Sequence, residues 1–181
     1  LGVNGFYYPF DEKKNFDFDI AAQHLNISVL EPLLTSFSSH IEGFATGKLT
    51  LNGSNAKPLL LGRLKLQRAA MMVDYLNVVY SFSNEVVFNE NMIQFNELTV
   101  YDANSNTALL SGGISHNYFQ DMSLDLTIKP DHFLAMDLNR YQNEMFYGKA
   151  FATGTVRLTG PFTNIAINVD CLPPFTPAEA E

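Results

Sequence analysis

The sequence predicts an all-β protein: a curled antiparallel sheet, an open β-groove, with one or two short helical links. Three observations carry this. Apolar and polar residues alternate along most of the chain, which is the period of strands with one apolar face. Polar turn signals interrupt the alternation every few residues, as tight connections between antiparallel neighbours require. Fifteen Phe and eight Tyr, with no Trp, suit a pleated, half-buried surface.

Alternation is clearest in six runs and changes phase in a seventh. "GKLTLNG" sets Leu49 and Leu51 against Lys48, Thr50 and Asn52. "GRLKLQR" sets Leu64 and Leu66 against Arg63, Lys65 and Gln67. "YSFSN" places Tyr80 and Phe82 on one side. Phe95 shares the parity of Ile93, but Leu98 and Val100 have the other. A one-residue slip would send that pair to the wrong face, so a β-bulge or bend is expected near Asn96–Glu97. "MSLDLTIK" contributes Leu124, Leu126 and Ile128; "TVRLT" contributes Val156 and Leu158; "NIAINVD" contributes Ile165, Ile167 and Val169. Turns are expected at 52–55, 83–85, 89–91, 102–106 and 111–113.

Two stretches break the alternation. Residues 26–43 hold Ser28 and Glu31 at capping-box spacing, so a short helix is expected there. Residues 130–148 are their counterpart in a second copy. The copies share a phrase: "FATGKLTLNG" at 44–53 returns as "FATGTVRLTG" at 151–160. Duplication of this kind belongs to structural modules more than to catalytic ones. The organisation expected is residues 1–15 as an N-terminal strand or cut edge, 16–170 as a single domain with an internal repeat (16–66 and 123–170), and 171–181 as an irregular tail. Both ends read as cuts from a longer protein. Gly47, Gly53, Gly62, Gly113, Gly154 and Gly160 pace the strands. Glycine inside a strand marks a bend or a close backbone approach, and a sheet that curls strongly needs such joints.

Charge and composition exclude several functions. The formal net charge is −8, and the 11 Lys and Arg form no run, which argues against nucleic acid and against attraction to anionic headgroups. One cysteine, Cys171, makes no intramolecular disulfide. No apolar run approaches the length of a membrane helix. No catalytic, metal or cofactor site is expected. His24, His40, His116 and His132 stand at no metal-ligand spacing. Ser39–His40 and Ser115–His116 are sequence neighbours, which is not triad geometry. "DANSN" at 102–106 resembles the start of a calcium loop, but Thr107 stands where glycine is needed and Gly113 where the bidentate Glu belongs. It reads as a hairpin turn. Asp17, Asp19 and Asp125 lie on the polar side of their strands.

The chain resembles the TamB family, AsmA-like proteins that are the inner-membrane subunit of a translocation and assembly module. The resemblance is carried by "GFATGKLTLNGSNAKPLLLGRLKL", "NMIQFNELTVYDANSNTALLSGGISHNYFQDMSLDLTI" and "FYGKAFATGTVRLTGPFTNIAINV" in that order, roughly residues 16 to 170. It implies a β-taco, a sheet folded lengthwise with an apolar groove inside. It also implies the periplasmic part of an inner-membrane-anchored protein of Gram-negative bacteria, the anchor lying outside this chain. Implied partners are phospholipid and an outer-membrane β-barrel assembly partner, TamA-like or related. Implied roles are phospholipid transport between the membranes, outer-membrane protein assembly and protein secretion.

The residues themselves are compatible with that. Each strand has one apolar side that a single sheet must cover. If the sheet curls, the lining is Leu49, Leu51, Leu64, Leu66, Tyr80, Phe82, Phe95, Leu98, Val100, Leu124, Leu126, Ile128, Val156, Leu158, Ile165 and Ile167. An acyl chain in such a groove gains about 0.8 kcal/mol for each buried CH₂. A featureless track needs no headgroup clamp and no catalytic residue. Two other functions fit the same pattern: a chaperone-like module that holds nascent outer-membrane strands by strand addition, and a structural spacer whose interior is filled.

Overall fold

A computed structural model describes residues 1–30, 38–145 and 147–171. Thirteen strands are present among them: β1 (Gly2–Tyr7), β2 (Phe16–Asn26), β3 (Ser38–Gly53), β4 (Pro58–Val73), β5 (Val78–Phe82), β6 (Glu85–Phe88), β7 (Met92–Tyr101), β8 (Thr107–Asn117), β9 (Gln120–Asp131), β10 (Phe133–Leu138), β11 (Gly148–Ala152), β12 (Gly154–Pro161) and β13 (Ala166–Cys171). Every pairing is antiparallel. One curled sheet runs β1-β2-β3-β4-β5-β7-β8-β9-β12-β13, and β10 and β11 form a separate two-stranded ladder. β5 and β6 are two halves of one interrupted strand. Both lie between β4 and β7, β5 at Ala69–Val73 and β6 at Gly62–Lys65.

The expected helical links turn out differently. A 3₁₀ turn, Ile27–Leu30, follows β2; residues 31–37 lie outside the described residues, and β3 begins at Ser38. Residues 130–148 hold no helix among those described. They carry the end of β9 and all of β10 instead. The turn expected at 111–113 is also absent: Ser111, Gly112 and Gly113 sit inside β8. Gly112 has φ 110°, and a Cβ there would collide with the Asp125 carbonyl oxygen. The glycine therefore serves a close approach of β9, not a reversal. The reversal at 118–119 carries no composition signal; the one at 74–77 carries Asp74 and Asn77 but is not among the expected turns.

The bulge expected near Asn96–Glu97 is present. The β7–β8 register shifts between Phe95 and Leu98, and Glu97 has φ 45°. It belongs to a line of irregularities that crosses the sheet. His24 (φ 54°) sits in a shift of β2 against β3, and its N–H donates to Thr46 Oγ1. Gly43 and Arg68 sit in a shift of β3 against β4. Arg68 N–H donates to Ser83 Oγ, and Asn84 Nδ2 donates to the Glu97 carbonyl. Bulges bend the strands that carry them, so a row of them creases the sheet.

On one side of this crease the chain packs. Ala69, Val78, Leu98 and Ala108 are buried there, with Phe133, Leu134 and Leu138 of β10 and Ala150 of β11. Ile27, Ile41, Ala45 and Ala69 form a buried cluster against which Leu64, Leu66, Met71 and Phe82 pack. On the other side the larger apolar residues of the sheet are mostly only half-buried.

Candidate functional site

The ladders place the alternating residues on one face. Residues directly opposite in an antiparallel pair share a side. One row crosses from Ile20 through Leu49, Gly62, Phe88, Ile93 and Ile114 to Leu124. The next crosses from Ala22 through Gly47, Leu64, Val86, Phe95, Gly112 and Leu126 to Leu158 and Ile167. A third links Leu98, Leu110, Ile128, Val156 and Val169. Phe82 stands opposite Val100, and Leu51 opposite Phe18. The other face carries Lys48 opposite Arg63, the Arg63–Glu85 ion pair at 3.4 Å, and Asp125 opposite Thr159.

Burial divides the sixteen lining positions. Leu98 is 2% exposed and belongs to the packed end. Leu64, Leu66 and Phe82 pack against the buried cluster, and Tyr80 packs on Phe133 of β10. Ile165 and Ile167 are 42% and 63% exposed at the rim. The remaining nine are half-buried. Several glycines fall on the same face and remove side chains where strands approach. Gly62 has φ 134°, and a Cβ there would meet the Lys48 carbonyl oxygen. Gly47, Gly112 and Gly160 share this face; Gly113 faces the other way, opposite Gln94 and Asp125. Gly53 ends β3 and Gly154 begins β12.

The packed end is closed by the β10–β11 ladder. Asp102 of the 102–106 turn is buried, and its carboxylate accepts from Asn104 N, Asn106 N, Asn106 Nδ2 and, at 2.7 Å, Leu134 N of β10. Burial pushes its pKa up, but these donors together hold it below the ordinary carboxylate value. Tyr80 donates to the Leu134 carbonyl at 3.1 Å and its ring stacks on Phe133 at 5.0 Å. Burial first, then the Asp102 charge, raises the Tyr80 hydroxyl pKa well above its usual value. Beyond it, Asp137 N–H donates to the Leu76 carbonyl, and Asn77 Nδ2 donates to the Asp137 carbonyl. Sequence inspection finds the turn at Asp102; its long-range partner 32 residues on leaves no local signal.

The histidines serve turns and joints. His24 stacks on Phe44 at 4.2 Å and His132 on Phe151 at 4.7 Å. His132 N–H donates to Thr153 Oγ1, as His24 N–H does to Thr46 Oγ1. Each copy of Phe-Ala-Thr-Gly thus receives a left-handed histidine, His24 from within β2 and His132 from the joint between β9 and β10. His116 is buried, stacks on Phe119, and accepts the Phe119 N–H at Nδ1. Its burial lowers its pKa. Among the described residues no three His, Cys, Asp or Glu side chains gather to hold a metal ion, and no helix is long and apolar enough to cross a membrane.

What these features define is a class: a one-sided apolar sheet, creased and closed by its own chain at one end. Comparison with protein-family models, with curated proteins and with solved structures gives no match.

Proposed function

We propose that the apolar face is a trough that carries lipid acyl chains, and that the chain is a segment of an envelope protein moving phospholipid between inner and outer membranes of a Gram-negative cell. One observation carries this. Nine of sixteen alternating apolar positions, on β3, β7, β9 and β12 of one face, are half-buried and stay partly exposed. A sheet of this size ordinarily buries such a face. Acyl chains laid along it would do so at about 0.8 kcal/mol per CH₂. The resemblance to the TamB family supports the same reading and adds an outer-membrane assembly partner.

Native mass spectrometry of the purified chain tests it. Co-purified phospholipid is expected, lost in Leu126→Glu with the fold retained, because Leu126 is half-buried and lies outside the buried cluster. Leu66→Arg is a poorer probe, since Leu66 packs against buried residues. Absence of bound lipid, together with unfolding of Leu126→Glu, would overturn the reading in favour of a filled core. A second reading rests on the edges. β1 is exposed along its whole length, as is all of β13 but Cys171, and neither carries Lys, Pro or a bulge. Such edges accept strands, and a strand-binding module would lose its client on Val169→Pro while keeping its lipid.

A further inference from the structure

We propose that the uncovered end of the sheet docks on a lipid bilayer through aromatic turns. This rests on the lipid-carrier reading and names the surface from which the trough is loaded.

Five turns lie at this end, and three of them touch. The 8–15 turn follows β1, the 54–57 turn joins β3 to β4, and Tyr118–Phe119 joins β8 to β9. Asn55 N–H donates to Asn15 Oδ1, and the Lys57 ammonium lies 5.6 Å from the centre of the Tyr118 ring. At the end of β1 Phe6 and Tyr7, on opposite faces, are 66% and 50% exposed, and in the first turn Tyr8 and Phe10 are 41% and 97% exposed. Single exposed rings are ordinary; four within five residues form a patch. The loop that presents them is built. Asn15 is buried and its amide donates to the Tyr8 and Asp11 carbonyls, while the Asp11 carboxylate accepts from Lys13 N and Lys14 N.

The Tyr118–Phe119 turn adds a second observation. Tyr118 and Phe119 have φ 53° and 64°. Two successive left-handed residues in a hairpin ordinarily take Asn-Gly, and side chains of this size are strained there. Both rings are half-buried and Phe119 stacks on His116 at 4.4 Å, so packing within the chain holds them at this end against local preference.

The chemistry fits the interfacial zone of a bilayer, where Tyr and other aromatic side chains sit with their apolar bodies inward. The formal charges of Asp11, Glu12, Lys13 and Lys14 cancel, so headgroup charge is not the attraction. The patch also leads into the trough. Tyr7 contacts Phe16 with ring centres 5.8 Å apart, and Phe16 contacts Phe18 at 6.5 Å; Phe18 stands on the lining face opposite Leu51. A chain leaving the bilayer would meet apolar surface throughout.

The chain has no Trp, so Phe10→Trp gives a single emission reporter. Phosphatidylcholine vesicles should shift its emission to the blue, and brominated acyl chains should quench it, to the same extent with phosphatidylglycerol added. Sedimentation with vesicles should fall roughly tenfold or more in the Tyr8→Ser/Phe10→Ser variant. Tyr141→Ser, at a fully exposed position in the turn between β10 and β11, should change nothing. Tyr118→Asn/Phe119→Gly should raise Tm and lower vesicle binding together. Emission that stays at its value in water, an equal loss in Tyr141→Ser, or a stabilised Asn-Gly turn with undiminished vesicle binding would overturn the proposal; so would binding that proves to need a protein partner. Lipid found by mass spectrometry without vesicle docking overturns this inference alone. Docking by a chain that never holds lipid overturns the carrier reading alone.

Discussion

At Thr46 and at Thr153 the same four residues receive a histidine N–H and a stacked imidazole, yet the strands then part company. β3 runs unbroken through the first site, and its far half pairs with β4 from Ser38 opposite Val73. At the second site the strand stops at Ala152 and resumes at Gly154, and β10 and β11 leave the sheet. The difference comes from the neighbours. β11 pairs with β10 among the described residues, while β12 pairs with β9 and β13. The freed hairpin finds Asp102, Tyr80 and Leu76 instead and closes one end. A repeated phrase therefore specifies a joint, and the path of the strand beyond that joint depends on the available partner.

Removing the hairpin's anchor should have the largest effect. Asp102→Ala takes away a buried carboxylate with four donors and leaves Leu134 N without its acceptor; a loss of about 3 kcal/mol is expected in denaturant unfolding. Hydrogen exchange should speed up in 133–152 and much less in β2–β3. Because the native Asp102 pKa is depressed, its contribution is present above the ordinary value of 3.8 and is lost as pH falls below it. A stability curve flat from pH 5 to below pH 3 in the wild type would contradict this.

The contrast between packed and uncovered ends is sharpened by two truncations. Leu98→Ala should cost about 3 kcal/mol, as a buried large-to-small change does. Leu126→Ala, half-buried on the same face, should cost about 1 kcal/mol or less. Equal losses would mean that the face is filled along its whole length.

The joints themselves are weaker. Thr46→Val should cost about 1 kcal/mol through the lost His24 bond. Thr153→Val should cost less, since Thr153 is exposed beside strands that already separate. The reverse order in thermal melts would overturn the account of why the copies differ. Smallest is His116. Its pKa is lowered by burial, so its contribution is present above the unfolded value near 6.5 and declines as pH falls below it. His116→Phe should flatten that part of the pH–stability curve.

Much of this was legible in the residues. The parity change between Phe95 and Leu98 announced the Glu97 bulge, because only a bulge keeps both pairs on one side. Alternation placed Leu49, Leu64, Phe95, Leu126 and Leu158 on a common face, since a strand's side chains have no other way to point. Residues 130–148 were not legible. Leu134, Met136 and Leu138 alternate, but "DHFLAMDLNRYQNEM" also satisfies a helical eye, and only the docking on Tyr80 and Asp102 settles it. The Tyr118–Phe119 reversal was hidden because those residues are poor turn formers.

By itself, then, the sequence determined most of the strands, their apolar side and several positions where backbones must approach, for these depend on side-chain period and on the absence of a Cβ. Only the tertiary structure decided which end is closed, that Leu98 is core while Leu126 is half-buried, and that a duplicated phrase yields a continuous strand once and a departing hairpin the second time. Those outcomes turn on partners distant in the chain, and local pattern carries no record of them.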